Sequence, residues 1–169
     1  LPMIFVNSDA ADPPFGSARD VAGVVVFVVA FVTEVVADFQ KDAFRSNPAN
    51  RGRVCDVGVW YFSRHPNFWG EIMMWWGAFI LATPVLDASA SSWGYVCILS
   101  PIFTFLVLMF ASGMPTAECD SQKRFMRTPA AKADFLAYRA RTSPLVPLPP
   151  AIYVRLPKIV KQVFLFEYP

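Results

Sequence analysis

Three long apolar segments constrain the fold more than any other feature of the sequence. They occupy approximately residues 20–39, 67–86 and 93–111, close to the ~20 apolar residues that a helix needs to cross a bilayer. The Val-rich first segment could instead be a buried strand, but such strands rarely exceed about 8 residues. The chain is 55% hydrophobic and only 17% charged, whereas soluble domains carry about 25% charge. We predict an all-α integral membrane protein, a multi-span helical bundle with about three spans.

The charges are unevenly distributed around these segments. The turn between the second and third segments carries only Asp87, and the sequence after Gly113 is basic. Basic loops lie on the cytoplasmic face of membrane proteins. We therefore expect residues 40–66 and the basic C-terminal region 113–169 to be cytoplasmic, and in a eukaryote we expect the endoplasmic reticulum membrane. The connection between the first two segments supplies its own basic residues, Lys41, Arg45, Arg51, Arg53 and Arg64.

The chain begins with Leu1 rather than Met, and its first residues resemble the end of an apolar segment. We expect residues 1–169 to form one C-terminal membrane domain whose N-terminal half is missing. The only histidine is His65, and Cys55, Cys97 and Cys119 lack the spacing of metal ligands. We expect no metal site.

Four charged residues follow one another along the end of the first segment. Glu34, Asp38, Lys41 and Arg45 are separated by four, three and four residues, so they share one helix face. Lys41 and Arg45, one turn apart, could bind a phosphorylated ligand, because Arg donates two hydrogen bonds and Lys acts as a point charge. The alternative is a helix-end cluster with internal salt bridges.

A second group of polar residues precedes the second span. Pro66 disfavours helix before it, so Arg64 and His65 are expected in extended backbone. Asn67 can cap the following helix, and its amide can also recognise another amide on a ligand. Glu71 lies one turn inside the span and needs a partner, for which we predict Arg64 or His65. The alternative is that Asn67 only caps and Glu71 only braces neighbouring spans.

The C-terminal region combines prolines with one apolar repeat. Pro144, Pro147, Pro149 and Pro150 predict an extended stretch. Residues 158–166 have apolar residues at helical spacing and lysines at positions 158 and 161. This segment either lies along the membrane surface or packs against the spans.

Several motifs together resemble one family. Trp60–Glu71 (WYFSRHPNFWGE) resembles the signature of the steroid 5α-reductase C-terminal domain, in the subgroup once catalogued as a domain of unknown function. The supporting stretches are residues 37–45 (ADFQKDAFR), 112–115 (SGMP) and 138–150 (YRARTSPLVPLPP). The chain is also similar to sterol C14- and Δ7-reductases.

This resemblance implies a helical membrane enzyme that holds NADPH in a cavity open to the cytosol. Phe68 departs from the family's commoner Tyr, so a hydroxyl contact is lost there. Asp120 is a second candidate, beside Glu118, for an acidic cofactor contact. The candidate cofactor-binding residues are Lys41, Arg45, Trp60, Arg64, His65, Asn67, Phe68, Glu71, Glu118 and Tyr138.

The resemblance also implies a reaction, the reduction of a C=C bond in a lipid-like substrate such as a steroid, sterol, polyprenol or enoyl lipid. In the family the proton donor comes from the N-terminal half, so no catalytic residue is assigned here. The expected partners are that substrate, the membrane and the missing half of the chain, without nucleic acid.

Two alternatives remain. Isoprenylcysteine carboxyl methyltransferases share the Arg-His-Pro element, but their S-adenosylmethionine has no phosphate and leaves Lys41 and Arg45 without a role. A non-catalytic membrane protein is the other alternative.

Overall fold

The computed structural model describes residues 13–88 and 92–167. No strand occurs among these residues, and an isolated bridge joins Ser63 to Ser143. The predicted all-α membrane fold is therefore confirmed. The helices are α1 (Ala18–Ser46), α2 (Pro66–Ala88), α3 (Leu99–Leu106), α4 (Met114–Phe125), α5 (Pro129–Arg141), α6 (Pro150–Arg155) and α7 (Lys158–Phe164).

Three helical stretches are long and apolar enough to cross a membrane: Ala18–Ser46, Pro66–Ala88 and Gly94–Phe125. Each overlaps one predicted span. The third differs from a regular α-helix, because a 3₁₀ segment (Ser92–Ile98) precedes α3 and a π-helical turn (Val107–Ala111) follows it. The length of the apolar segment predicted this span, but apolar length carries no information on whether the helix is α, 3₁₀ or π.

Helices α1 and α2 pack closely in antiparallel directions through small residues. A Cβ atom added at Gly70 would lie 2.8 Å from the carbonyl oxygen of Ala30, and one at Gly77 would lie 2.7 Å from the backbone nitrogen of Phe27. Small residues allow this approach of two backbones, which is how helices associate in membranes without a hydrophobic driving force.

The outer side of the bundle is apolar and unprotected by protein. A large exposed apolar surface marks contact with lipid or with a protein partner. Because this surface lies on helices long enough to span a bilayer, we assign it to lipid. The chain is therefore an integral membrane protein. The exposed residues on α1 include Val21, Val25, Val28, Val29, Phe31, Val32, Val35 and Phe39.

The two basic regions meet at one end of the bundle. The proline-rich stretch is non-helical over residues 142–149, as predicted, but Pro150 begins α6 because proline is favoured at the first helical position. The stretch runs beside the α1–α2 connection. The backbone N–H of Arg64 donates to the carbonyl oxygen of Ser143 at 2.8 Å, and that of Leu148 donates to Phe62 at 3.0 Å. These bonds join the connection to the C-terminal region and create the walls of a cavity.

Candidate functional site

A cavity of about 740 Å³ opens at the end of the bundle where the basic regions meet. Its walls come from the last turns of α1, the α1–α2 connection, α4 and α5. This volume falls in the range of sites that hold small molecules and cofactors.

Most of the predicted cofactor-binding residues line this one cavity, although they are distant in sequence. The helical spacing of Lys41 and Arg45 brings both to its mouth, and α4 adds Asp120 beside Glu118. The predicted residues on the wall are Lys41, Arg45, Trp60, Arg64, His65, Glu118 and Tyr138.

The indole of Trp60 forms part of the floor beneath Lys41. Its Nε1–H donates to the backbone oxygen of Ala37 at 2.8 Å, and the Lys41 Nζ lies 4.3 Å from its ring centroid. Gln40 orients the same turn, because its Oε1 accepts from the backbone N–H of Val59 at 2.9 Å. The buried ring is thus fixed to α1 by its own hydrogen bond, the preceding residue Val59 is fixed by a second, and a cation is held over the ring face.

Tyr138 lines the cavity, and its hydroxyl is bound by backbone oxygens of the α1–α2 connection. The hydroxyl donates to the backbone oxygen of Trp60 at 2.6 Å and also approaches the backbone oxygen of Ser63 at 3.3 Å. Burial raises the pKa of the Tyr138 phenol well above its usual range, so the group stays protonated and remains a donor. The structural role of this hydroxyl was not evident from the sequence.

Arg64 lies in the wall between two carboxylates. Its Nη2 donates to Glu167 Oε2 at 2.7 Å, and its Nη1 lies 3.5 Å from Glu118 Oε1. The Tyr153 hydroxyl donates to the same Glu167 oxygen at 2.6 Å. Arg64 is buried, and a buried guanidinium needs such compensation.

His65 is the other partner of Glu118, with 3.0 Å between Nε2 and Oε1. Burial lowers the pKa of His65, and this effect outweighs the neighbouring carboxylate, which acts in the opposite direction. The imidazole is therefore neutral near pH 7 and donates its Nε2–H to the carboxylate. The ring also stacks on Phe68, with centroids 5.3 Å apart.

The remaining wall is strongly cationic. The only acidic side chains among the described lining residues are Glu118 and Asp120. Five cations on the wall form no ion pair with any residue of segments 13–88 and 92–167, and so the internal salt bridges of the alternative interpretation are not formed by Lys41 or Arg45. These five are Lys41, Arg45, Arg51, Arg53 and Arg124.

Asn67, Phe68 and Glu71 are not among the residues that line the cavity. Phe68 packs against the apolar core around Ile72. The predicted cap is wrong, because α2 begins at Pro66 and Asn67 lies inside its first turn. The Asn67 Oδ1 is buried without a hydrogen-bond partner among the described residues. Contact of these three side chains with a cofactor stays a prediction.

The predicted pairing of Glu71 with Arg64 or His65 is also wrong. Within the described part of the chain, those two residues pair instead with Glu118 and Glu167. Glu71 lies close enough to Glu34 of α1 for the two carboxyl groups to interact electrostatically. Glu167 and Tyr153 were missed because no local spacing links them to Arg64.

Comparison with known proteins identifies a family. The sequence profile of the family described as "Protein of unknown function (DUF1295)" matches residues 1–142. The chain belongs to this DUF1295 family. That match covers the predicted motifs from the first span to Tyr138, whereas the reductase resemblance is a finer statement that stays a prediction.

The DUF1295 chain also has a short match to a curated protein. It is 37% identical over 46 residues to the "Probable O-methyltransferase ustE" of Ustilaginoidea virens, which is 27% of this chain and 16% of that protein. The chain thus spans only a small part of that relative. No solved structure matches the DUF1295 chain.

Proposed function

We propose that the chain carries the cofactor site of a membrane-bound NADPH-dependent reductase that acts on a C=C bond of a lipid-like substrate. By the distribution of basic residues, the cavity faces the cytoplasm. When bound, NADPH supplies a hydride, and the residues of this chain bind and orient it. The N-terminal half of the same protein would supply the proton donor.

The cationic wall of the cavity is the observation that supports this function. Five cations on the wall lack an ion pair with a described residue, whereas Glu118 and Asp120 are the only acidic side chains among the described lining residues. NADPH carries a pyrophosphate and a 2′-phosphate, which such cations bind by charge-assisted hydrogen bonds. Cations that the fold leaves unpaired are consistent with a polyanionic ligand.

The arrangement of the wall suggests roles for particular residues. Lys41 and Arg45, one turn apart on α1, would bind phosphate oxygens. The buried Trp60 ring, fixed by its bond to Ala37, offers a flat face for a ring of the cofactor. Neutral His65 and the Arg64–Glu118 pair form the deeper wall, where hydrogen bonding rather than net charge would orient the ligand.

A methyltransferase is the second candidate, and the short similarity to a probable O-methyltransferase favours it. Its cofactor, S-adenosylmethionine, carries a sulfonium cation and no phosphate. A cavity with an excess of arginine and lysine is electrostatically unsuited to that cation. The cavity therefore supports the reductase more strongly than the methyltransferase.

Direct binding measurements distinguish these functions. We expect the protein in lipid nanodiscs to bind NADPH more tightly than NADH, and to bind S-adenosylmethionine only weakly. Isothermal titration calorimetry measures the three affinities. Arg45→Glu should weaken NADPH binding at least tenfold, because a lost charge-assisted hydrogen bond costs about 1.5–3 kcal/mol and each ~1.4 kcal/mol is a tenfold change in Kd. The matched control is Arg127→Glu, because Arg127 is exposed and does not line the cavity.

A folded Arg45→Glu variant with unchanged NADPH affinity would refute the assigned phosphate contact. Preferential binding of S-adenosylmethionine, unaffected by Arg45→Glu, would support the methyltransferase instead.

A further inference from the structure

The two C-terminal helices expose an apolar surface that the proposed function does not use. On α7, Ile159, Val163 and Phe164 are 65%, 55% and 68% exposed, and on α6, Ile152 and Val154 are 51% and 56% exposed. We call these five residues the C-terminal apolar face. Side chains this exposed contribute nothing to the core of the domain.

Helix α7 is amphipathic around this face. Ile159 and Val163 are four residues apart and share one side of the helix, while Lys158 and Gln162 share the neighbouring side. Both of these polar residues are exposed. Lys161 points toward the domain, where its Nζ lies 4.5 Å from the ring centroid of Tyr153. An apolar side flanked by cations is typical of helices that lie in a membrane surface.

The residues that follow α7 determine its depth relative to the spans. The ring of Phe166 lies 5.4 Å from that of Phe105 and packs against the core that contains Ile72 and Met109. Phe105 belongs to the third membrane-crossing stretch, and Ile72 lies almost two turns inside α2. The residues after α7 are therefore held beside the first two turns of α2, close to the ends of the spans where the headgroup region begins.

The backbone at this point is firmly fixed. Phe166 has φ +60, a conformation that is rare for a bulky residue and persists only when its surroundings impose it. Burial of Leu165 and the hydrogen bonds of Glu167 to Arg64 and Tyr153 provide those constraints. Helix α7 is thus attached to the bundle at a defined height.

We propose that the C-terminal apolar face lies in the headgroup and upper acyl region of the same bilayer, with Arg155 and Lys158 bound to anionic lipid headgroups. Three observations point to lipid as the occupant. The face is at the level of the span ends, it is flanked by exposed cations, and the spans beside it also expose apolar residues such as Phe103 and Phe110. Juxtamembrane cations are attracted by anionic lipid.

Spin-label accessibility tests this placement in the full chain. The background carries Cys55→Ser, Cys97→Ala and Cys119→Ser, and the chain is reconstituted at one copy per nanodisc, in phosphatidylcholine with or without phosphatidylglycerol. A label at Val163→Cys should collide several-fold more often with oxygen than with a water-soluble nickel chelate. A label at Gln162→Cys, on the adjacent polar side, should show the reverse preference.

The contribution of anionic lipid is tested by Lys158→Glu. Oxygen preference at position 163 should fall in the discs that contain phosphatidylglycerol and stay unchanged in phosphatidylcholine alone. Equal accessibility to the nickel chelate at positions 162 and 163 would overturn the membrane placement. Protection that appears only with two copies per disc would overturn it in favour of self-association. None of these measurements depends on NADPH.

Discussion

The phenolic hydroxyl of Tyr138 donates a hydrogen bond of 2.6 Å to the backbone oxygen of Trp60, across 78 residues of sequence. This bond attaches α5 to the turn that carries the indole floor of the cavity. It also uses the only proton of the hydroxyl, so we infer that Tyr138 contributes to the site mainly by positioning Trp60.

Removal of that hydroxyl tests this role. Tyr138→Phe should lower the free energy of unfolding by about 1–2 kcal/mol, because a buried carbonyl oxygen loses its donor, and NADPH affinity should change less than threefold. Thermal unfolding in detergent and calorimetric binding measure the two effects. Tyr61→Phe, at an exposed tyrosine, is the control. Unchanged stability with a large loss of NADPH affinity would show that the hydroxyl contacts the cofactor instead.

Gly58 belongs to the same turn, where both the backbone conformation and the space available favour glycine. Its φ is +56, and a Cβ atom there would lie 2.3 Å from the Gln40 carboxamide, which orients Val59. The Gln40 side chain can move aside, but it then gives up its hydrogen bond to the Val59 N–H. Gly58→Ala should therefore cost about 1 kcal/mol beyond the ~1–2 kcal/mol of left-handed strain, and should weaken ligand binding by displacing Trp60.

Gly52→Ala is a matched control for this substitution. Gly52 also has a positive φ, +81, but apart from its chain neighbours no described residue has an atom within 4 Å of its Cβ position. Its alanine variant should show the strain without the clash. Equal losses of stability in the two variants would show that the contact with Gln40 is unimportant.

Features of the site that depend on local spacing could be predicted from the sequence. Lys41 and Arg45 reach the same cavity because a four-residue separation places side chains on one helix face. Pro66 placed Arg64 and His65 in non-helical backbone, as the structure shows. The three spans followed from apolar length, which is also a local property.

Features that depend on distant contacts could not be predicted. Glu167 pairs with Arg64 across 103 residues, and no periodicity in the sequence links them. The cap predicted at Asn67 was wrong for a local reason. Proline is itself favoured at the first helical position, and α2 begins at Pro66, one residue before Asn67. The π-helical turn at Val107–Ala111 has no signature in hydropathy.

The Arg64–Glu167 pair predicts a large difference between two substitutions. Glu167→Ala should destabilise the fold by about 3–5 kcal/mol, because it leaves a buried guanidinium without its closest counter-charge. Glu167→Gln keeps an acceptor for Arg64 and Tyr153 and should cost clearly less. Denaturant unfolding of both variants gives the comparison. Similar small losses would mean that Glu118 alone compensates Arg64.

The orientation in the membrane is tested by cysteine labelling. In a background without Cys55 and Cys119, Asn50→Cys should react with an impermeant maleimide from the cytoplasmic side and Ala88→Cys from the opposite side, since Asn50 lies beyond the end of α1 and Ala88 ends α2. Ser89, at which the sequence predicts the same labelling as at Ala88, lies outside the described residues. Labelling of both positions from one side would contradict the proposed topology.

The pH dependence of stability should report His65, because it is the only histidine in the chain. Burial lowers its pKa in the folded protein below the ordinary value of 6.5, so the unfolded chain binds a proton at a higher pH than the folded chain does. Stability is therefore complete above about pH 7 and is lost as the pH falls below 6.5, by at most about 1.4 kcal/mol per unit. The loss ends once the folded His65 itself takes up a proton.

Unfolding by denaturant between about pH 7.5 and pH 5.5 measures this slope, in a range above the ordinary pKa values of Asp and Glu. His65→Gln removes the titrating group but keeps a donor for Glu118, so its stability should be nearly constant over the same range. A wild-type protein that gains stability as the pH falls would show that the Glu118 carboxylate dominates over burial and that His65 is charged. That result would also mean that the deeper wall of the cavity is positively charged, because a charged His65 would lie next to Arg64.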